Sequence, residues 1–338
     1  EAIEFLEFAM DDASAAAFEP VLKGLGFAPA GIHKSKEVVR WRQGGINIIV
    51  NREKEGFAHS FNITHGPSVC AMAVRVADAV ATVERAQGLL DRPFRQAVGP
   101  GELDIPAVRG VGGSLLYFVD GKTELGRWWD VDFRRVDAGG QPEAVLTRFD
   151  HLSQSMYYEE MLSWLLFYTS LFDVRKAPVL DVIDPGGVMQ SQAVETEEGA
   201  VRLVLNASQS RQAMVSRFVE NFFGSGVQQI ALACDDIYRT AARLRANGVE
   251  LLPIPENYYD DLAVRTDLDD ARIERLRASN LLYDSDGAAE FTHCYTRTLP
   301  GGFFFEIVER RGGYRGYGAA NAPIRLAAQA RFARTLAV

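Results

Sequence analysis

Residues 226–252 read "GVQQIALACDDIYRTAARLRANGVELL": an alternating apolar strand runs through Cys234 into an acidic pair and then an amphipathic helix. Asp235 and Asp236 suit a helix N-cap, Ile237, Ala241 and Leu244 keep helical spacing, and Asn247-Gly248 is a stop signal. Residues 68–90, "SVCAMAVRVADAVATVERAQGLL", repeat the design. Upstream of each copy lies another strand-helix pair, at 3–27 and 148–174. Downstream of each comes a glycine-punctuated apolar strand, "GGSLLYFVDG" at 112–121 and "GGFFFEIVERRGG" at 301–313. Strand-rich units with one helix each, repeated within a half and again between halves, predict an α+β chain of two similar domains. The first domain reads as 1–136, a linker holding "DAGGQP" as 137–146, and the second domain as 147–338.

The 338 residues are 47% hydrophobic and 24% charged, the profile of a globular chain. No apolar run reaches the roughly 18 residues that span a bilayer, and no basic-then-apolar leader opens the sequence, so a cytoplasmic setting is expected. The start at Glu1, with an apolar pattern entered at once, reads as a piece of something longer. A net charge of -9 with scattered basic residues gives no footprint for nucleic acid or an anionic membrane, which leaves small molecules and proteins as partners. Cys70, Cys234 and Cys294, an odd number without CxxC spacing, read as reduced core residues. Tyr157-Tyr158 and Tyr258-Tyr259 are candidates for an interface in a homo-oligomer.

The halves differ in what their strands carry. Aligned by pattern, Glu7, Ala71 and Phe118 of the first half correspond to His151, Gln229 and Glu306 of the second. Each of the latter interrupts an apolar strand, in "FDHLS", "VQQIA" and "FFFEIV". A lone histidine or glutamine on a strand is more often a core polar group, but three at matching positions in one half only point to a metal site. Glu306, after three phenylalanines, needs a cation or a donor, because burying an isolated carboxylate is very costly. The first domain is then scaffold, and His59 and His65 in it read as fold residues. "THCYTRTLPGGFFFE" reads as a hairpin; a turn centred between Leu299 and Pro300 would set His293 opposite Glu306, as a further ligand or a donor behind it. "RGVGGS" at 109–114 precedes a strand and is a poor phosphate cradle, and "RRGGYRGYG" at 310–318 reads as a bend into the last helix.

"INIIVN", "THGPSVCA", "FDHL", "PENYYDDL", "LLYD" and "FFFEIVERRGGYRGYGAAN" together resemble bacterial 4-hydroxyphenylpyruvate dioxygenase over nearly the whole chain. "FDHLSQSMYYEEMLSWLLFYTSLFDV", "RLVLNASQS" and "GAANAPIRLAAQ" are more similar still to the dioxygenase-like C-terminal module of bacterial fused 3-dehydroshikimate dehydratases, enzymes of quinate and shikimate breakdown to protocatechuate. The resemblance implies two tandem vicinal-oxygen-chelate (glyoxalase/bleomycin-resistance-like) domains built from βαβββ repeats. In the family two histidines and a glutamate hold Fe(II), leaving positions for a 2-oxo acid and oxygen. His151 matches the first ligand and Glu306 the carboxylate. The second histidine falls on Gln229, whose amide oxygen suits a divalent Mg²⁺ or Mn²⁺ better than Fe(II).

Ser191, Asn206 and Gln228 match residues that the family uses around its substrate, whereas Met214 and His293 fall where it has glutamines. The family's "GNF" becomes Ala320-Asn321-Ala322 and Arg325 follows, which implies a small carboxylate ligand in place of a hydroxyphenyl group. In the fusions an N-terminal sugar-isomerase-like barrel carries out the dehydration, so a barrel of the same parent chain is the implied partner. Three functions remain open: a metal-binding module that assists the barrel, a self-standing non-haem Fe(II) dioxygenase acting on an aromatic 2-oxo acid such as 4-hydroxyphenylpyruvate, and a non-catalytic scaffold. His293 would restore iron binding in the second if it supplied the lost imidazole.

Overall fold

The computed structural model describes residues 1–89, 91–136 and 145–335. Most of the expected linker, 137–144, lies outside the described residues, and Leu146 already opens a strand. Each half curls one mixed sheet around a central antiparallel pair, Ala2–Ala9 with Ser68–Arg75 in the first and Leu146–Ser155 with Gly226–Cys234 in the second. Each central strand also pairs in parallel with the last strand of its own repeat. These partners are Ile46–Asn51 and Leu115–Val119 in the first half, Arg202–Ala207 and Phe304–Arg311 in the second. That is two βαβββ units per sheet, the vicinal-oxygen-chelate arrangement. The helix Ile237–Ala246 starts where its sequence predicts, with the Asp236 carboxylate accepting from the Arg239 N–H. Among the described residues no helix is long and apolar enough to cross a membrane.

Register corrects the alignment of the halves. Gln229 pairs with Ser153, and Ala71 pairs with Glu7, so Ser153 is the counterpart of Glu7. Ala231 is flanked by His151 and Glu306 where Ala73 is flanked by Phe5 and Tyr117. The first-half counterparts of the trio are therefore Phe5, Ala71 and Tyr117, and Phe5 packs on Tyr117 at 6.0 Å between ring centroids. The first half thus fills with aromatic side chains what the second fills with polar ones. Tyr258 and Tyr259, each 1% exposed, belong to the core and not to an outer interface. The three cysteines are buried and free.

The halves meet through one hydrophobic core, with Phe303 of the second packed on Phe8 and Phe18 of the first at 5.2 and 5.8 Å. Two glycines pin the contact reciprocally. Gly112 (φ 63°) lies so close to Ser225 that a Cβ would stand 1.7 Å from its carbonyl oxygen, and Gly301 (φ 92°) stands likewise against Pro67 at 1.9 Å. The glycine turns before these strands are thus seats for the opposite domain. Gly301→Ala combines left-handed backbone strain with overpacking and is expected to lower unfolding free energy by about 2–4 kcal/mol in urea titration. Gly121→Ala, where a Cβ meets nothing within 4 Å, is the near-neutral control.

Candidate metal centre

Three adjacent strands bring His151, Gln229 and Glu306 together. In the ladder Ala231 stands between His151 and Glu306, and its methyl leaves space that the longer neighbours fill. Gln229, two residues back on the same strand, reaches into that space. Its amide nitrogen lies 2.6 Å from Glu306 Oε2 and 3.1 Å from His151 Nε2, and the latter two atoms are 3.1 Å apart. His151 and Glu306 have no exposed surface.

A hydrogen-bond relay fixes the trio from behind. His151 Nδ1 donates to Asp150 Oδ1 at 2.7 Å, which turns its Nε2 towards the site. Asp150 is clamped by Arg310, with Nε on Oδ2 and Nη2 on Oδ1, both at 2.7 Å. On the other side His293 Nδ1 donates to Glu306 Oε1 at 2.6 Å, and His293 Nε2 accepts from Asn321 Nδ2 at 3.0 Å. Asn321 also donates to the Tyr283 carbonyl, and its Oδ1 accepts from the Tyr258 hydroxyl. Burial pushes the Glu306 carboxyl up, but His151 and then His293 outweigh it and hold Glu306 at about 2. Asp150 is likewise held well below the usual carboxylate range: burial opposes this, and the Arg310 guanidinium and His151 prevail. Burial depresses His151, yet Glu306 and Asp150 leave its proton affinity raised.

Two irregularities in the central strand pair shape this site. The register skips Asp150 between the Phe149 and His151 pairings, and skips Gln228 between Val227 and Gln229. Such bulges re-aim side chains. The first brings Asp150 round to His151. The second sends Gln228 to accept from Ser155 Oγ at 2.6 Å, away from the cavity lining, so Gln228 does not take the expected place beside the ligand pocket. The hairpin register also differs from expectation: His293 pairs with Val308, and Tyr295 stands opposite Glu306. His293 reaches Glu306 diagonally, and both its ring nitrogens are engaged by Glu306 and Asn321.

Next to Gln229 lies a cavity of about 20 Å³. Ser191 and Asn206, the expected ligand contacts, are direct cross-strand partners on its wall, and Tyr317 and Arg325 close it. Met214 packs into a small apolar cluster with Val182, Met189 and Leu326. Asp150, Arg310, Tyr295 and Tyr317 were not singled out by pattern; an aspartate beside the strand histidine in "FDHLS" was the one available signal.

Among the described residues no three His, Cys, Asp or Glu side chains are placed to hold a metal ion, so an amide must complete any such set. The corners of the His151–Gln229–Glu306 triangle are 2.6 to 3.1 Å apart. Ligands in neighbouring positions on an octahedral ion bound at about 2.1 Å are about 3 Å apart. Beside the Glu306 carboxylate the Gln229 amide presents nitrogen; beside a cation, turned over, it would present oxygen from the same corner. One imidazole, one carboxylate and one amide oxygen therefore fit a hard divalent ion.

Residues 1–134 match the family model "Hydroxyphenylpyruvate dioxygenase, HPPD, N-terminal", and 148–275 match "Glyoxalase/Bleomycin resistance protein/Dioxygenase superfamily". A 3-dehydroshikimate dehydratase of Pseudomonas putida is 46% identical over 98% of this chain and 52% of its own length. A 4-hydroxyphenylpyruvate dioxygenase of Pseudomonas aeruginosa is 34% identical over 95% of this chain and 91% of its own. Among solved structures, a xylose isomerase-like TIM barrel/4-hydroxyphenylpyruvate dioxygenase fusion protein aligns with TM-score 0.85 and 46% identity, over 98% of this chain and 52% of that one. The chain spans about half the length of the dehydratases it matches.

Proposed function

Because the chain belongs to the 4-hydroxyphenylpyruvate dioxygenase family, we propose that it is the metal-binding, dioxygenase-like module of a 3-dehydroshikimate dehydratase, with dehydration carried out by a barrel outside this chain. The observation that carries the reading is Gln229 at the third corner of the ligand triangle. Support comes from the 46% identity to two such dehydratases over nearly the whole chain, against 34% to a self-standing dioxygenase. His151 Nε2, Glu306 Oε2 and the Gln229 amide oxygen would hold Mg²⁺ or Mn²⁺. Bound there, the ion supplies positive charge that polarises an oxygen ligand. Asp150 fixes the histidine tautomer, and His293 orients the carboxylate.

The second reading, an Fe(II) dioxygenase acting on an aromatic 2-oxo acid, would need an imidazole from His293. The bonds that engage both nitrogens of that ring argue against it. Stripped of metal and titrated with Mn²⁺ or Mg²⁺, the chain is expected to gain stability by mass action, about 2.7 kcal/mol at one hundred times Kd. With Fe(II) and 4-hydroxyphenylpyruvate it is expected to take up no oxygen. Metal-independent melting would favour the scaffold, and oxygen uptake would favour the dioxygenase. Deleting residues 1–338 from the full-length parent is expected to impair dehydratase activity or assembly; unchanged activity and oligomeric state would end the assisting role.

A further inference from the structure

Arg325 is 6% exposed and sits in the cavity wall beside Gln229. Its Nη1 donates to Gln329 Oε1 at 2.7 Å, and its guanidinium lies over Phe304 and Tyr295 at 5.1 and 5.7 Å. Its Nε is buried without a hydrogen-bond partner, and among the described residues no carboxylate forms an ion pair with it. A buried cation without a counter-charge is costly. In the same lining Asn206 is 7% exposed, and its Oδ1 is likewise buried without a partner. Also on the lining, Ser191 Oγ and the Tyr317 hydroxyl hold each other at 3.2 Å. One small cavity thus gathers a buried guanidinium with an unpaired Nε and no carboxylate in ion-pair contact, an unused acceptor and a hydroxyl pair.

We propose that this cavity is an anion site for a small hydroxylated carboxylic acid, with the carboxylate on Arg325 and a hydroxyl donating to Asn206. The proposal shares the pocket of the metal reading but needs no metal. A neutral phenol ring would leave the guanidinium unpaired, and a plain carboxylate would leave Asn206 Oδ1 unsatisfied. The cavity of about 20 Å³ has room for about one water-sized group. A two-carbon acid therefore needs the least displacement of the lining, and a ring requires the segment from Tyr317 to Arg325 to move outward.

The test is calorimetric titration of the chain in chelator with glycolate and with 3-hydroxybenzoate, using glycolamide and 3-hydroxybenzamide as neutral counterparts. At least one acid is expected to bind while its amide does not. Arg325→Gln should weaken that binding about tenfold to a hundredfold, and Asn206→Ala should reduce the hydroxy acid to the affinity of acetate or benzoate. Without ligand, Arg325→Met should melt no lower than the parent, because it removes an unpaired buried charge. Absence of binding by both acids, equal binding of acid and amide, unchanged affinity in Arg325→Gln, or a marked fall in melting for Arg325→Met would each overturn the proposal. Since the titration is run in chelator, its outcome stands apart from the metal assignment: anion binding without any metal response would sink only the latter.

Discussion

Asp150→Ala is expected to lower the unfolding free energy by about 3–5 kcal/mol, the loss typical when one partner of a buried ion pair is removed. The carboxylate accepts two bonds from Arg310 and one from His151, and a third cation, Arg202, lies 3.6 Å away. Removing it leaves the buried Arg310 guanidinium without its carboxylate partner, whereas Arg202 keeps its pair with Glu195 at 2.7 Å. Arg310 also donates to the carbonyls of Tyr314 and Gly316, so its clamp holds the bend that carries Tyr317 to the cavity. Without Asp150 the His151 ring loses the acceptor that fixes its tautomer. Equilibrium urea unfolding measures the loss, and a change under 1 kcal/mol would show that Arg310 finds another partner. A fall in Mn²⁺ affinity beyond that expected from stability alone would mark the tautomer effect.

Glu306→Gln is expected to abolish the Mn²⁺-induced gain in stability and to flatten the acid limb of the stability profile. Glu306 is held at about 2 in the folded chain against an ordinary value of 4.5. A carboxylate whose folded value is depressed contributes stability that is complete above the unfolded value. That stability is lost as pH falls from about 5 towards 2, and the gap corresponds to about 3 kcal/mol. The glutamine cannot accept from both His293 and Gln229 through separate oxygens, so one donor is left unpaired. Asp150 is depressed in the same direction, so a residual acid slope remains in the variant. Denaturation midpoints at pH 3, 5 and 7 would separate the two. A variant with the parent's full acid slope would show that Glu306 does not carry it.

How much of the site was legible depends on which residues obey strand alternation. His151, Gln229 and Glu306 do, each being a polar break in an apolar strand, and the sequence alone brought them together. Asp150 and Gln228 do not, because a bulge adds a residue and shifts the face on which side chains emerge. Alternation would send Asp150 away from His151, and the fold turns it back. The hairpin register slipped for a related reason: Leu299 and Gly302 close the turn by accepting from and donating to each other's neighbourhood, Gly302 N–H to Leu299 carbonyl and Leu299 N–H to Phe303 carbonyl. That displaces the turn centre towards the glycines, and Tyr295 takes the place opposite Glu306.

The sequence by itself determined the duplicated α+β architecture and the half that carries polar strand residues. Both follow from periodicity and composition, which are local properties of a strand or helix. Family likeness pointed to Asn206 as a ligand contact, and the departure from the family pattern after Ala322 pointed to Arg325. Only the tertiary structure decided that Asp150, Arg310, His293 and Asn321 form a relay, that Gln228 stands apart, and that Arg325 and Asn206 share one cavity with unused hydrogen-bonding capacity. These relations join residues up to 160 positions apart in the chain. Whether such groups meet is fixed by bulges, by the turn register and by the packing of the last helix.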